Sequence, residues 1–188
     1  MDVNRTPFVR KAPVDLARCD EPALKALVAG VLGPHFEMRE EVDGVFTPDG
    51  TRVRIDYVLK ARQPLVASGF TDQWFGLEVK AVSNGGKKQA LAYAWQAITY
   101  SLSTFDGIRP AFVLMFLPLR QILGTDADGY AHYFEALLQR SNVGGLFLRG
   151  DAPYQWRMVF GGQTYFSARG GLGGQPQAAL KRRVGNSK

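Results

Sequence analysis

The sequence predicts an α/β domain in which helices sandwich a mixed β-sheet. Three observations carry this. Apolar residues recur at helical spacing in two separate stretches. Between those stretches they alternate at strand spacing. Finally, Pro110 to Leu117 is a short, almost wholly apolar run, as a central strand buried on both faces requires.

The elements follow in order. Residues 1–18 show no steady period and read as an extended lead. Asp20 has the chemistry of an N-cap, and Pro22 fits the first turn behind it. Leu24, Leu27, Val28, Val31 and Leu32 then define a helix over 21–32, which Gly33-Pro34 stops. His35 to Phe46 reads as a strand ending in a turn at Pro48-Asp49-Gly50. In Thr51 to Leu59, Val53, Ile55 and Tyr57 alternate with Arg52, Arg54 and Asp56, so this second strand closes a hairpin. A loop of turn formers leads to a third strand, Trp74 to Val82. There Leu77 and Val79 point one way, and Glu78 and Lys80 the other. A helix over 87–103 follows, with Leu91, Trp95, Ile98 and Leu102 as its buried stripe and Gln89, Tyr93, Gln96 and Tyr100 on the neighbouring one. Beyond the apolar strand, weaker patterns mark a helix near 130–140 and strands near 145–149 and 154–160. Gly161 to Gly174 reads as flexible.

Composition narrows the class. The chain has 188 residues, 46% of them hydrophobic and 21% charged, which suits one domain with a real core rather than a disordered chain. The longest apolar run is too short to span a bilayer, and Met1 to Lys11 shows no signal peptide. Cys19 is the single cysteine, so neither a disulfide framework nor a Cys-rich zinc module is expected. The expected location is cytoplasmic, with no membrane partner. The net charge is +6, and the last twenty residues hold five basic side chains and no acidic one. Such a tail is either a solvated coil or an arm for phosphate backbones.

One constellation carries chemistry. Glu78 and Lys80 share a strand face, and Asp56 sits on the preceding strand. Glu-x-Lys on an exposed strand usually means two solvated charges. Here both residues lie within Gly76-Leu77-Glu78-Val79-Lys80-Ala81, a core-like strand where unpaired charges are costly. Two carboxylates brought together repel unless a cation joins them. Their hard oxygens, with the Val79 carbonyl as a further ligand, suit Mg²⁺, and Lys80 would stand beside a metal-bound water.

These residues resemble the core of the PD-(D/E)XK nuclease superfamily: Ile55-Asp56, then Glu78-Val79-Lys80 on the next strand, then a helix. Gln96-Ala97-Ile98-Thr99-Tyr100 on that helix resembles the Gln-x-x-x-Tyr element of the RecB-like and lambda-exonuclease-like branch. The resemblance spans roughly residues 20–117. It implies a restriction-endonuclease-like αβββαβ core and Mg²⁺-dependent cleavage of phosphodiester bonds in DNA, with Mn²⁺ as substitute. Residues 19–160 would form the nuclease-like domain and 161–188 a Gly-rich basic tail. Asp56 and Glu78 would bind metal, and Lys80 would assist the water. Gln96 and Tyr100 would contact the substrate strand or orient the site. A first-helix Glu is matched best by Glu21, with Glu37, Glu40 and Glu41 as substitutes. Two departures stand out: Ile55 replaces the family's Pro, and the loop from Lys60 to Gln73 is long.

Arg52, Arg54, Lys87, Lys88, Lys181, Arg182 and Arg183 are candidates for the DNA backbone. Lys87 and Lys88, at a helix start, are equally a solvated first turn. A binding or assembly module without cleavage is the alternative, and RNA and homo-oligomerisation stay open. His35 and His132 lack a second ligand at metal spacing. Trp74, Trp95 and Trp156 read as core.

Overall fold

Asp20 sets the start of the first helix. Its backbone is extended, and its side chain accepts a hydrogen bond from the Ala23 amide at 2.9 Å. Helix α1, Glu21–Leu32, buries Leu24, Val28 and Leu32, three residues spaced four apart on one face. The computed structural model describes residues 16–81, 86–116, 135–149 and 154–168. The expected lead before residue 16 and the tail beyond 168 lie outside them.

Strands β1, Phe36–Phe46, and β2, Arg52–Ala61, form the expected antiparallel hairpin, with Phe36 opposite Ala61 and Val45 opposite Arg52. Gly50 takes the left-handed φ of 78° that the turn needs. A short helix α2, Gln63–Ala67, precedes β3, Phe75–Val79. Helix α3, Gly86–Ser101, leads from β3 back to the β1 edge of the sheet. Strands β4, Ser103–Phe105, β5, Val113–Phe116, β6, Val143–Arg149, β7, Gln155–Phe160, and β8, Gln163–Ala168, complete it. Residues 135–140 are helical. Among the described residues, eight strands run in the order β4-β1-β2-β3-β5-β6-β7-β8. The β3–β5 and β5–β6 pairs are parallel and the rest antiparallel. The fold is therefore α/β with a mixed sheet flanked by helices. No helix among the described residues is long and apolar enough to cross a membrane.

The sheet curls. Phe36 on β1 and Trp156 on β7 have β2, β3, β5 and β6 between them. Flat strands about 4.8 Å apart would hold them roughly 24 Å from each other. Their ring centroids are 5.5 Å apart. The concave face closes over an aromatic core in which Phe75 stacks on Phe112, and Phe70 meets Phe36, Tyr165 and Phe166. The other face carries α3 on Val42, Ile55, Val58, Val113 and Met115.

Several expectations need correction. The buried stripe of α3 is Ala90, Ala94, Ala97 and Tyr100. Leu91 and Trp95, with Leu102 just past the helix, are exposed, Trp95 by 63%. Size-ranked hydrophobicity picks the wrong side because a helix lying close on a sheet needs small side chains beneath it. The sheet is thinned to match. A Cβ at Gly76 would lie 2.7 Å from Ile55 Cδ1. The loop after β2 contains α2, whose Pro64 fits a first helical turn but whose five residues are too few to show a period. Strand β3 is shorter than expected. Within the stretch read as a flexible tail, Gln163–Ala168 forms strand β8 and pairs with β7.

Candidate active site

The site forms where the sheet opens. The β2–β3 ladder includes Leu59 opposite Phe75 and Tyr57 opposite Leu77 and stops there. The next two residues, Asp56 and Glu78, replace ladder bonds with side chains. Asp56 Oδ2 accepts from the Val79 amide at 2.7 Å, and Glu78 Oε2 accepts from the Asp56 amide at 3.4 Å. Each carboxylate thus ties its own strand to its neighbour's backbone. Both are buried, Asp56 at 7% exposure and Glu78 at 3%. Burial first, then the charge of Asp56, pushes Glu78 up to about 7 against the opposing pull of Lys80.

Helix α3 reaches the same point. Gln96 Nε2 donates to Glu78 Oε1 at 3.0 Å and to the Tyr100 hydroxyl at 2.6 Å. That hydroxyl donates to the Arg54 carbonyl at 2.6 Å. The chain from Glu78 through Gln96 and Tyr100 therefore ends on the backbone of β2. Burial first, then Glu78's charge, pushes the Tyr100 phenol up to about 12, so it stays a donor. Lys80 Nζ lies 2.6 Å from Glu78 Oε1. Burial pulls that ammonium down, but its hydrogen bond to Glu78 and the surrounding carboxylates more than offset this and hold it protonated. The Tyr93 ring faces it with its centroid 5.8 Å away.

Helix α1 supplies the third wall. Glu21 lies 3.9 Å from Lys80 and 3.7 Å from Lys25. Lys25, one turn further on, sets its Nζ 2.5 Å from Asp56 Oδ1 and 2.7 Å from Glu41 Oε1. Glu41 falls between Glu40, opposite Tyr57, and Val42, opposite Ile55, which brings it level with Asp56. Glu41 has a left-handed φ of 49°, a conformation costing a non-glycine residue about 1–2 kcal/mol. This strain accompanies a useful aim, since its carboxylate meets both Lys25 and, at 3.1 Å, Arg54. The Lys25 hydrogen bond holds Glu41 below the usual carboxylate range.

Asp56, Glu78, Lys80, Gln96, Tyr100 and Glu21 are thus brought together as expected. Val79 contributes its N–H, to Asp56, where its carbonyl was expected to matter. Asp56 lies between strands under cover, not on a solvated polar face. Glu37 and Glu40 are exposed on β1, while Glu41 reaches the cluster. Arg54 turns to Glu41. Arg52 lines a separate recess of about 940 Å³ with Asp43, Thr104 and Asp106. Lys88 is exposed in the first turn of α3. Lys181, Arg182, Arg183, His132 and the side chain of Lys87 lie outside the described residues. A small apolar recess lies against Met115, Leu138 and Val159, away from the acid cluster.

Sequence reasoning missed Lys25. The signal was its four-residue spacing from Glu21, which stacks the two on one helix face. The donor chemistry fits a hard divalent ion: buried carboxylates at a break in the sheet, with an ammonium standing where a cation would. Among the described residues, however, no three His, Cys, Asp or Glu side chains are already arranged to hold a metal ion. Comparisons with family models, curated proteins and solved structures returned no match.

Proposed function

We propose that this protein is a metal-dependent nuclease of the PD-(D/E)XK type that hydrolyses phosphodiester bonds in DNA. One observation carries the reading. Asp56 and Glu78 meet at the gap between β2 and β3, with Lys80 beside Glu78 and the Gln96–Tyr100 pair behind it. The succession α1, β1, β2, β3, α3, β5 supports a restriction-endonuclease-like αβββαβ core, elaborated by α2, β4 and β6–β8.

Asp56 and Glu78 would hold the metal, with Glu21 entering from α1. Bound there, Mg²⁺ or Mn²⁺ would supply positive charge against the phosphate and acidify a water. Lys80, beside Glu78, would position the attacking water or a phosphate oxygen, or assist the water's deprotonation. Gln96 fixes the Glu78 carboxylate, and Tyr100 fixes Gln96. Both are positioning residues. Arg52, Lys87, Lys88 and the Lys181-Arg182-Arg183 cluster are the candidates for the nucleic-acid backbone.

The test is cleavage of linear and circular DNA with Mg²⁺ or Mn²⁺ by wild type, Glu78→Gln and Lys80→Ala. Each variant should lose on the order of 10²–10³ in kcat, as enzymes do when a transition-state contact is removed. If wild type cuts and both variants cut equally well, the assignment is wrong.

A second reading is a nuclease-fold module that binds without cutting. It draws on the fact that Asp56 and Glu78 already hold ammonium partners. Saturable Mn²⁺ binding that disappears in Asp56→Asn argues against it.

A further inference from the structure

The Lys25 ammonium contacts three carboxylates from three different elements: Glu21 on α1, Glu41 on β1 and Asp56 on β2. Few surface lysines are held this way. The side chain is largely covered, and Tyr57 from β2 donates to the Lys25 carbonyl at 3.1 Å, which fixes that turn of α1 over the site. Four carboxylates meet three cationic groups here, Lys25, Lys80 and Arg54. Without Lys25, Asp56 would be a buried carboxylate stripped of its close ammonium partner, with Lys80 left to act on it only from further off. Buried groups of that kind are strongly disfavoured.

The geometry points to Lys25 as a tethered cation that fills the acid cluster when no divalent ion is bound and that a divalent ion must displace. This rests on the metal-site reading above. Asp56 Oδ1, the oxygen that does not serve the Val79 amide, is the one Lys25 occupies. A metal ion seeking Asp56 therefore competes with a primary ammonium already attached to the chain. Displacement has somewhere to go. Glu41 is half exposed, so Lys25 can keep that partner while leaving Asp56. The device offsets part of the cluster's negative charge while the protein lacks metal and sets a threshold of metal concentration for loading.

The experiment is calorimetric titration of Mn²⁺ into the full chain as wild type, Lys25→Met and Asp56→Asn. Lys25→Met should bind at least tenfold more tightly than wild type, and Asp56→Asn should lose the binding. Lys25→Met should also melt lower in EDTA and recover with Mn²⁺. Because that variant could fail to fold in EDTA, a second measurement uses wild type alone. Acylation of lysines, followed by mass spectrometry, should modify Lys25 several-fold faster with Mn²⁺ than with EDTA. Asp56-dependent binding that is equal in wild type and Lys25→Met, with Lys25 labelling unchanged by Mn²⁺, overturns the displacement and leaves the metal site standing. No saturable binding in either protein overturns the metal site and the displacement together.

Discussion

The two faces of the sheet solve burial in opposite ways. The concave face is filled by bulk: Phe36, Phe70, Phe75, Phe112, Trp156, Phe160 and Phe166 pack ring against ring under a curled sheet. The face under α3 is made thin instead. Ala90, Ala94 and Ala97 lie on aliphatic residues, and Gly76 leaves room for Ile55. Bulk gives stability through apolar area removed from water. Thinness gives proximity. It lets α3 lie close enough for Gln96 to reach Glu78 at 3.0 Å. One face holds the protein together, and the other sets the distances at the acid cluster.

Substitutions can break or sharpen this contrast. The largest effect belongs to the aromatic face. Phe75→Ala removes a fully buried ring that contacts three others and should cost about 3–5 kcal/mol in denaturant unfolding. The sharper probe is Ala97→Leu. Overpacking under α3 should cost about 1–3 kcal/mol and, by lifting Gln96 from Glu78, lower kcat well beyond the stability loss. A variant that loses stability but keeps full kcat would separate closeness from function. The smallest effect is expected at Trp95→Ser, on the outer side of the same helix, within about 0.5 kcal/mol of wild type. A large loss there would mean that the exposed stripe is covered in solution.

The same contrast explains what the sequence could reveal. Helix α1, the β1–β2 hairpin and β5 were legible because capping, alternation and continuous apolarity are local signals. Asp56, Glu78 and Lys80 were legible because charge inside a core-like strand is conspicuous, and Gln96 and Tyr100 through their resemblance to the Gln-x-x-x-Tyr element, since their helical stripe alone fits a packing face as well. The inner face of α3 was not, since alanine carries little hydrophobic weight, and closeness depends on what lies across the gap. Strands β4 and β8 are short edge strands, and β8 follows Gly161-Gly162, which reads as loop. Lys25 and Glu41 act through a meeting of helix and hairpin. That meeting depends on register and on the φ of 49° at Glu41, neither of which is written in side-chain order.

The crossed bonds at the sheet opening bear on how any inactive variant should be understood. Asp56 carries a charge and also serves as the acceptor for a backbone amide of the adjoining strand. Truncation to alanine deletes both roles and orphans the Val79 N–H, so loss of the proposed activity would also follow from an unzipped sheet. Asparagine is the isosteric probe that discards the charge while still offering the amide an oxygen, and so distinguishes lost chemistry from lost architecture.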